Sequence, residues 1–284
     1  MFIGLCVKLA GGITLELERS FELPHQLKCF RSKLEPPLMT TSLIIPYHRK
    51  TSLTESKFSG NPYLPKMQIY PKDIDGNYMH LLAQINFADI SLTPPFPKQG
   101  ILQIFISRKL CVSENQVEES VFQQNYKIRF YAEALSKDQL ISDFTFLSSE
   151  ANDTIPIITK EMALTFTNSI EPVSATDYRL EKYIEMPLSS YGVISEDEKT
   201  LEDIYFEKYL AAEHKIGGYP YFIYYDKRKD SSFLRKYDTL LFQIVSNDEQ
   251  GIMFEDTGIL KFFISKKNLM NLDFSDVYFH GEQY

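Results

Sequence analysis

The chain has 284 residues, a charged fraction of 24% and a formal net charge of −8, values that are ordinary for a packed protein. The negative charge argues against nucleic-acid binding, which needs a clustered lysine and arginine face, and no stretch approaches the roughly 18 apolar residues of a membrane span. The three cysteines, Cys6, Cys29 and Cys111, are odd in number and widely spaced. They argue against a disulfide scaffold and favour a cytoplasmic protein.

Residues 1–35 form an N-terminal segment in which the sequence predicts only one short helix, at about 26–34. Residues 2–14 are apolar, but Lys8 interrupts them, and neither a basic leader nor a small-residue cleavage site flanks them. A targeting segment is therefore not expected. From residue 36 onward we expect one domain that runs to residue 284.

The sequence from residue 41 to about residue 170 predicts strands, because short apolar runs alternate with proline and glycine turns. The predicted strands are 43–46, 79–86, 101–107, 126–131 and 162–167. In the third of them Leu102, Ile104 and Ile106 share one face. This alternation is typical of a half-buried strand.

One longer helix is predicted after residue 195. Ser195 and Glu198 have the spacing of a capping box, in which both side chains bond free amides at a helix start. Leu201, Tyr205 and Ala212 then follow at helical spacing. The helix leads into residue 214 without a glycine- and serine-rich linker, which favours one compact domain over two.

Three blocks of the sequence occur twice, 158 or 159 residues apart and in the same order. Residues 57–65 (KFSGNPYLP) match 215–223 (KIGGYPYFI), 80–85 (HLLAQI) match 239–244 (TLLFQI), and 100–107 (GILQIFIS) match 258–265 (GILKFFIS). Chance similarity does not keep register over three blocks. We therefore predict an α+β, strand-rich single domain of two pseudo-symmetric duplicated units with a few peripheral helices. The first unit spans about 56–107 and the second about 215–284.

The repeated polar residues are the first candidates for a site. Gln84 and Gln243 each lie within an apolar strand, where an unpaired amide would cost about 1–3 kcal/mol. They bond either loop backbone, such as the glycine-proline turn of the same unit, or a ligand in a cleft between the units. Lys57 and Lys215 keep their place in both copies, and either a shared structural salt bridge or contact with a ligand explains this.

The second unit carries acids that the first lacks. Asp248 and Glu249, and then Glu255 and Asp256, form two acidic pairs. Acidic turns are the simpler interpretation, and a divalent-metal site is the alternative, without the regular spacing of a calcium loop. No metal and no cofactor is assigned.

Motifs of the common enzymes are missing from the sequence. It contains no GxSxG, HExxH or phosphate loop, and no GxGxxG after a strand. The five histidines are scattered without metal-ligand spacing. A metal-assisted enzyme would have to combine residues such as His214, Asp248 and Asp256 from distant segments, so that the sequence leans away from an enzyme.

Several longer motifs resemble the bacterial YwqG-like proteins. They are 56–65 (SKFSGNPYLP), 81–87 (LLAQINF), 95–103 (PFPKQGILQ), 171–178 (EPVSATDY), 214–220 (HKIGGYP), 240–244 (LLFQI) and 273–277 (DFSDV). The resemblance covers about residues 35–284 and implies a domain of unknown function with two related halves. It also implies an immunity or accessory role beside a secreted toxin. Family members tend to carry Trp-Gly-Asp where this chain has Phe254, Glu255 and Asp256.

These observations predict a non-enzymatic interaction protein, and its partner is expected to be a protein such as a basic toxin domain. The expected contacts are Asp248, Glu249 and Asp256, with Tyr219 and Tyr221 as exposed anchors. The alternative is a small-molecule or peptide-binding module that uses Gln84, Gln243, Lys57 and Lys215 in the cleft between the units. Neither the partner nor the oligomeric state follows from the sequence.

Overall fold

The computed structural model describes residues 21–108, 121–149, 157–192, 199–254 and 257–284. Within these ranges ten strands form one sheet, and four short α-helices lie outside it. The strands are β1 (Met39–His48), β2 (Lys57–Phe58), β3 (His80–Asn86), β4 (Ile101–Ile106), β5 (Tyr126–Tyr131), β6 (Met162–Glu171), β7 (Lys215–Gly217), β8 (Thr239–Val245), β9 (Gly258–Ile264) and β10 (Val277–Gln283). The helices are α1 (Arg31–Leu34), α2 (Arg179–Ile184), α3 (Leu201–Lys208) and α4 (Lys266–Met270).

All neighbouring strands are antiparallel, and their order in the sheet is β10-β9-β8-β7-β1-β6-β2-β3-β4-β5. From either edge, four strands in descending chain order lead to the central pair β1 and β6. That pair is the longest in the sheet, with ten residues in each strand. The prediction of a strand-rich single domain with few helices is therefore confirmed.

The two edge strands β5 and β10 approach each other, so that the sheet nearly closes on itself. The hydroxyl of Tyr126 on β5 donates to the carbonyl of Val277 on β10 at 2.6 Å. Nearby, the rings of Phe130 and Phe274 lie 4.9 Å apart. The concave face encloses the main core, to which both units contribute phenylalanine and branched aliphatic side chains.

The strands of the two units are buried on both faces, not on one. Leu102, Ile104 and Ile106 do share the inner face, as predicted. However, every residue of β4 and of β9 is buried, because loops pack aromatic residues such as Tyr63 and Phe222 against the outer face. The expectation of half-buried strands is wrong for this reason, and it explains why polar residues on the outer face must find partners inside the protein.

The helices differ from their predicted bounds. The N-terminal helix is a 3-10 helix, His25–Phe30, followed by one turn of α1. Ser195 and Glu198 lie outside the described residues, and the capping box is formed by Thr200 and Asp203 at the start of α3. Helix α3 ends at Lys208, so that Ala212 lies beyond it. Among the described residues no helix is long and apolar enough to cross a membrane.

Candidate functional site

Gln84 and Gln243 are completely buried and fully bonded to loop backbone. The Oε1 atom of Gln84 accepts from the amide of Tyr63 at 2.7 Å, and that of Gln243 accepts from the amide of Tyr221 at 2.9 Å. Both Nε2 atoms donate to two carbonyls, at 2.8 and 2.9 Å. The sequence left two alternatives for these amides, loop backbone or a ligand, and in the structure both side chains bond loop backbone. The amides tie a loop to a strand and have no free donor for a ligand.

Lys57 and Lys215 are also buried, but their partners differ. The Nζ atom of Lys215 lies 2.9 and 3.0 Å from the two carboxylate oxygens of Glu171. The Nζ atom of Lys57 donates to the carbonyls of Ser52 and Asn61, and burial lowers the pKa of Lys57 to about 8. A salt bridge common to both copies, as the sequence suggested, is therefore wrong for Lys57.

Tyr219 and Tyr221, expected as exposed anchors, are buried. The hydroxyl of Tyr219 donates to the carbonyl of Pro37 at 2.7 Å, and its ring lies under the guanidinium of Arg179 at 4.7 Å. The expectation failed because the turn that carries both tyrosines is clamped against β8 by Gln243. These residues hold the second unit together and offer no ring to a partner.

The contact between the two units is filled by aromatic rings. Phe58 of the first unit packs edge-on against Phe242 of the second unit and against His214 just before it, at 6.1 and 5.7 Å between ring centres. The ring of Phe96 lies so close to Gly217 that a Cβ atom added there would be 3.2 Å from it. Within the described residues, the amides of Gln84 and Gln243 therefore face packed loops, so that this contact provides no open cleft for them.

Asp248 and Glu249 are exposed in the 3-10 helix Asp248–Gln250, where a partner can reach them. Asp256 lies outside the described residues, so that the suggested set of His214, Asp248 and Asp256 is not tested. His214 is buried, and its Nε2 atom is 3.2 Å from Gln250 Oε1. In the described part of the chain, no group of three His, Cys, Asp or Glu residues could hold a metal ion.

A buried charged pair distinguishes the second unit from the first. Lys261 on β9 and Glu282 on β10 form an ion pair, and the ammonium also donates to the carbonyl of Tyr221 at 2.9 Å. Burial lowers the pKa of Lys261 to about 8 even though Glu282 opposes the shift. Gln103 occupies the corresponding position in the first unit. It donates at 2.6 Å to the carbonyl of Tyr63, so that the neutral and the charged residue perform the same loop-holding task.

Two aspartate-arginine pairs were not predicted from the sequence. In each pair the aspartate Oδ1 accepts from the backbone amide and from the Nε atom of the arginine two residues later, at distances of 2.8–3.0 Å. The pairs are Asp177 with Arg179 and Asp226 with Arg228, and Arg228 also bonds Asp177 at 3.0 Å. The Asp-x-Arg spacing, which both share, is the signal that could have found them. The four side chains form hydrogen bonds with one another, and we therefore interpret them as a structural network.

A cavity of about 410 Å³ lies on the outer side of β1 and β6, beside the end of α3. Its wall includes apolar groups from Phe21, Leu43 and Tyr209, and polar groups from Ser169 and Glu213. None of the four residues suggested for a cleft contributes to it. The sequence contained no signal for this cavity, because its wall comes from four separate segments.

Exposed tyrosines surround the end of β10. Tyr224 and Tyr284 are 71% and 68% exposed, and Tyr225 is exposed as well. Their positions are fixed by hydrogen bonds: the hydroxyl of Tyr284 is 2.7 Å from that of Tyr221, and the amide of Tyr224 donates to Glu282. We call these three residues the tyrosine patch.

Comparison with known families gives one match. The family described as a domain of unknown function (DUF1963) matches residues 56–282. This range includes the first unit, the second unit up to residue 282, and the cavity wall from Ser169 to Glu213. No curated protein matches the chain.

Proposed function

The chain belongs to the DUF1963 family, the YwqG-like domain, and from this premise we propose that it acts by binding another protein and not by catalysis. The partner is a basic protein, such as a toxin domain that this chain neutralises as an immunity protein. The odd and widely spaced cysteines support a place in the cytoplasm.

The tyrosine patch is the observation that carries this proposal. Tyrosine is enriched at the energetically dominant positions of protein interfaces, because a large ring with two rotatable bonds loses little entropy when it is buried. The hydroxyl of Tyr284 is bonded to the hydroxyl of Tyr221, and the hydroxyl of Tyr225 donates to the carboxylate of Asp230. Both rings are therefore presented in a fixed orientation, which lowers the entropic cost of association.

Charge supports a basic partner. The chain has a formal net charge of −8, and Asp248 and Glu249 are exposed and without an ion pair among the described residues. Opposite charge accelerates encounter and disfavours wrong partners. We retain these two acids, with Asp256, as the proposed charged contacts.

We further propose that the two units arose by duplication. Gln84 donates to the carbonyls of Leu53 and Glu55, and Gln243 donates to those of Ala211 and Glu213. Each carbonyl in the second set lies 158 residues after its counterpart in the first. In β3 and β8 the pairing register shifts at equivalent points. Unrelated strands would have no reason to share a loop clamp and a register shift.

The test is an affinity capture of the tagged protein from its native cells, read by mass spectrometry, with the double variant Tyr224→Ser/Tyr284→Ser alongside. The control is Phe206→Ser, which removes an exposed ring from α3, away from the tyrosine patch. We expect one stoichiometric basic partner that the control retains and the double variant loses. Co-expression of that partner with the wild-type chain should then restore growth if the partner is a toxin. An equal yield of partner from all three proteins, or no partner, would overturn the proposal.

A further inference from the structure

The cavity beside β6 has the size of a small-molecule site. Its volume of about 410 Å³ is within the range of roughly 300–1,000 Å³ that ligand pockets occupy. Apolar groups of Leu43 and Pro172 line one part of the wall, and Phe21 and Tyr209, with ring centres 5.9 Å apart, line another. A few polar groups interrupt this apolar wall, which is the usual composition of a binding pocket.

Ser169 places an unpaired hydroxyl in this wall. The residue is only 5% exposed, it lines the cavity, and its hydroxyl has no hydrogen-bond partner among the residues that the structure describes. The Ser169 hydroxyl is therefore available to a molecule in the cavity.

Glu213 lacks the cation that its counterpart in the first unit has. The carbonyls of Glu55 and Glu213 accept from Gln84 and Gln243 at the same distance, 2.9 Å, which makes the two glutamates equivalent. The Glu55 carboxylate is 2.9 Å from the guanidinium of Arg49, and this hydrogen bond lowers the pKa of Glu55 to about 2. Within the described ranges the Glu213 carboxylate has no such partner, and the residue is exposed at the edge of the cavity that it lines.

The remaining charges of the wall also favour a cation. Glu171 is balanced by buried Lys215. Among the described residues that line the cavity, Glu22 and Glu213 are opposed by one lysine, Lys208, whose ammonium lies 5.7 Å from the ring centre of Tyr209. The guanidinium of Arg31, which is paired with Glu35, lies 5.8 Å from the ring centre of Phe21. Aromatic ring faces attract ammonium and guanidinium groups, so that the rings and the unpaired carboxylates favour the same kind of ligand.

We propose that this cavity binds a small organic cation, with the ammonium or guanidinium group on Glu213 and the Ser169 hydroxyl and the carbon chain against Phe21 and Tyr209. The cation takes the place that Arg49 occupies beside Glu55. It is either a free amine such as a diamine, or an arginine or lysine side chain of a bound protein. The site is separate from the tyrosine patch and does not rest on the proposed protein partner.

The test is isothermal titration of the full chain with agmatine, which carries both a guanidinium and an ammonium group, and with succinate as an anion of comparable length. The variants are Glu213→Gln and Ser169→Ala, and Glu133→Gln is the control because it removes an exposed acid after β5 that does not line the cavity. We expect agmatine to bind the wild type and the control equally. Glu213→Gln should weaken binding about tenfold or more, since hydrogen bonds to charged groups are worth about 1.5–3 kcal/mol. Ser169→Ala should weaken it less.

Two further measurements separate the outcomes. Urea unfolding should give the same midpoint for Glu213→Gln and the wild type, because the carboxylate has no partner among the described residues to lose. A peptide with a central arginine between glycines that binds as well as agmatine would identify a protein side chain as the ligand, and agmatine alone would identify a free amine. No binding of either, or equal binding of agmatine to Glu213→Gln, or equal binding of succinate, would overturn the proposal.

Discussion

Gln84 and Gln243 occupy the same position in the two units and make the same hydrogen bonds to loop backbone, to which Gln84 adds one from the side chain of Gln103 at 2.8 Å. Each accepts from the backbone amide of a tyrosine and donates to two carbonyls of the segment before its unit. The side chain thus replaces backbone hydrogen bonds that the loops, packed on the outer face of the sheet, cannot make among themselves. An amide is suited to this position because it supplies donors and an acceptor without a charge to bury.

Replacement of either glutamine by leucine should destabilise the fold by similar and large amounts. The leucine has nearly the same length but leaves one buried amide and two carbonyls without partners. Each unsatisfied group costs about 1–3 kcal/mol, so that Gln84→Leu and Gln243→Leu should each lower the free energy of unfolding by at least about 3 kcal/mol. Urea unfolding measures this loss. Gln26→Leu, at an exposed position in the N-terminal 3-10 helix, should change it by less than about 0.5 kcal/mol. A tolerated leucine at either position would contradict the loop-clamp role.

Lys261 and Glu282 should show strong coupling in a double-mutant cycle. Removal of one partner leaves the other charged and buried, which typically costs about 3–5 kcal/mol. Lys261→Met and Glu282→Gln together should therefore cost less than the sum of the single changes, by about 1–3 kcal/mol. Lys229 and Glu181 form the matched control, at 2.9 Å but half exposed, and their coupling should be below about 1 kcal/mol. Equal coupling in both pairs would show that the buried pair is screened by solvent.

Much of the sheet could be predicted because the repeated blocks coincide with strands. The strands at 79–86, 101–107 and 126–131 were placed to within one residue, since each is an apolar run between turn residues. The burial of their outer faces could not be predicted in the same way. The outer faces are covered by loops such as the one that carries Phe222, which packs against strands far from it in the sequence. These loops contain enough polar residues to look like surface segments.

The same limit applies to the candidate residues. The sequence indicated that Gln84 and Gln243 need partners, and a local rule, the cost of an unpaired amide, was enough for this. It could not show that Tyr219 is buried, because an aromatic residue beside a glycine-proline turn is equally typical of an exposed loop. Ser169 and Glu213 have no special signal in the sequence, since the role proposed for them depends on a cavity wall that four separate segments form.

His214 should make the protein sensitive to acid. Burial lowers the pKa of His214 from 6.5 to about 4, and its Nδ1 atom accepts from the amide of Val245 at 3.2 Å, so that the ring must stay neutral. As the pH falls below 6.5 the unfolded chain takes up a proton that the folded chain refuses, and stability is lost down to pH 4. At pH 5 this amounts to about 2 kcal/mol.

The measurement is urea unfolding at pH 7 and at pH 5. His214→Gln should lose about 2 kcal/mol less than the wild type between these two pH values, whatever its stability at pH 7. His25→Gln, which changes an exposed histidine, should behave like the wild type. If His214→Gln and the wild type lose the same free energy of unfolding, His214 can accept a proton in the folded state. The conclusion that its ring stays neutral would then be wrong.

Gly218→Ala should destabilise the protein far more than Gly76→Ala, although both glycines have a positive φ, of 70° and 84°. Any residue with a Cβ pays about 1–2 kcal/mol for this backbone conformation. At Gly76 the added methyl group meets nothing within 4 Å, so that this cost is the whole effect. At Gly218 the methyl group would overlap the carboxylate of Glu171, which is held by Lys215 and by the amide of Tyr219 and cannot move without breaking the ion pair. Urea unfolding should therefore show a loss for Gly218→Ala that exceeds the loss for Gly76→Ala by at least about 2 kcal/mol. Equal losses would mean that Glu171 moves aside freely, and the Glu171–Lys215 pair would then not fix the turn that carries Tyr219.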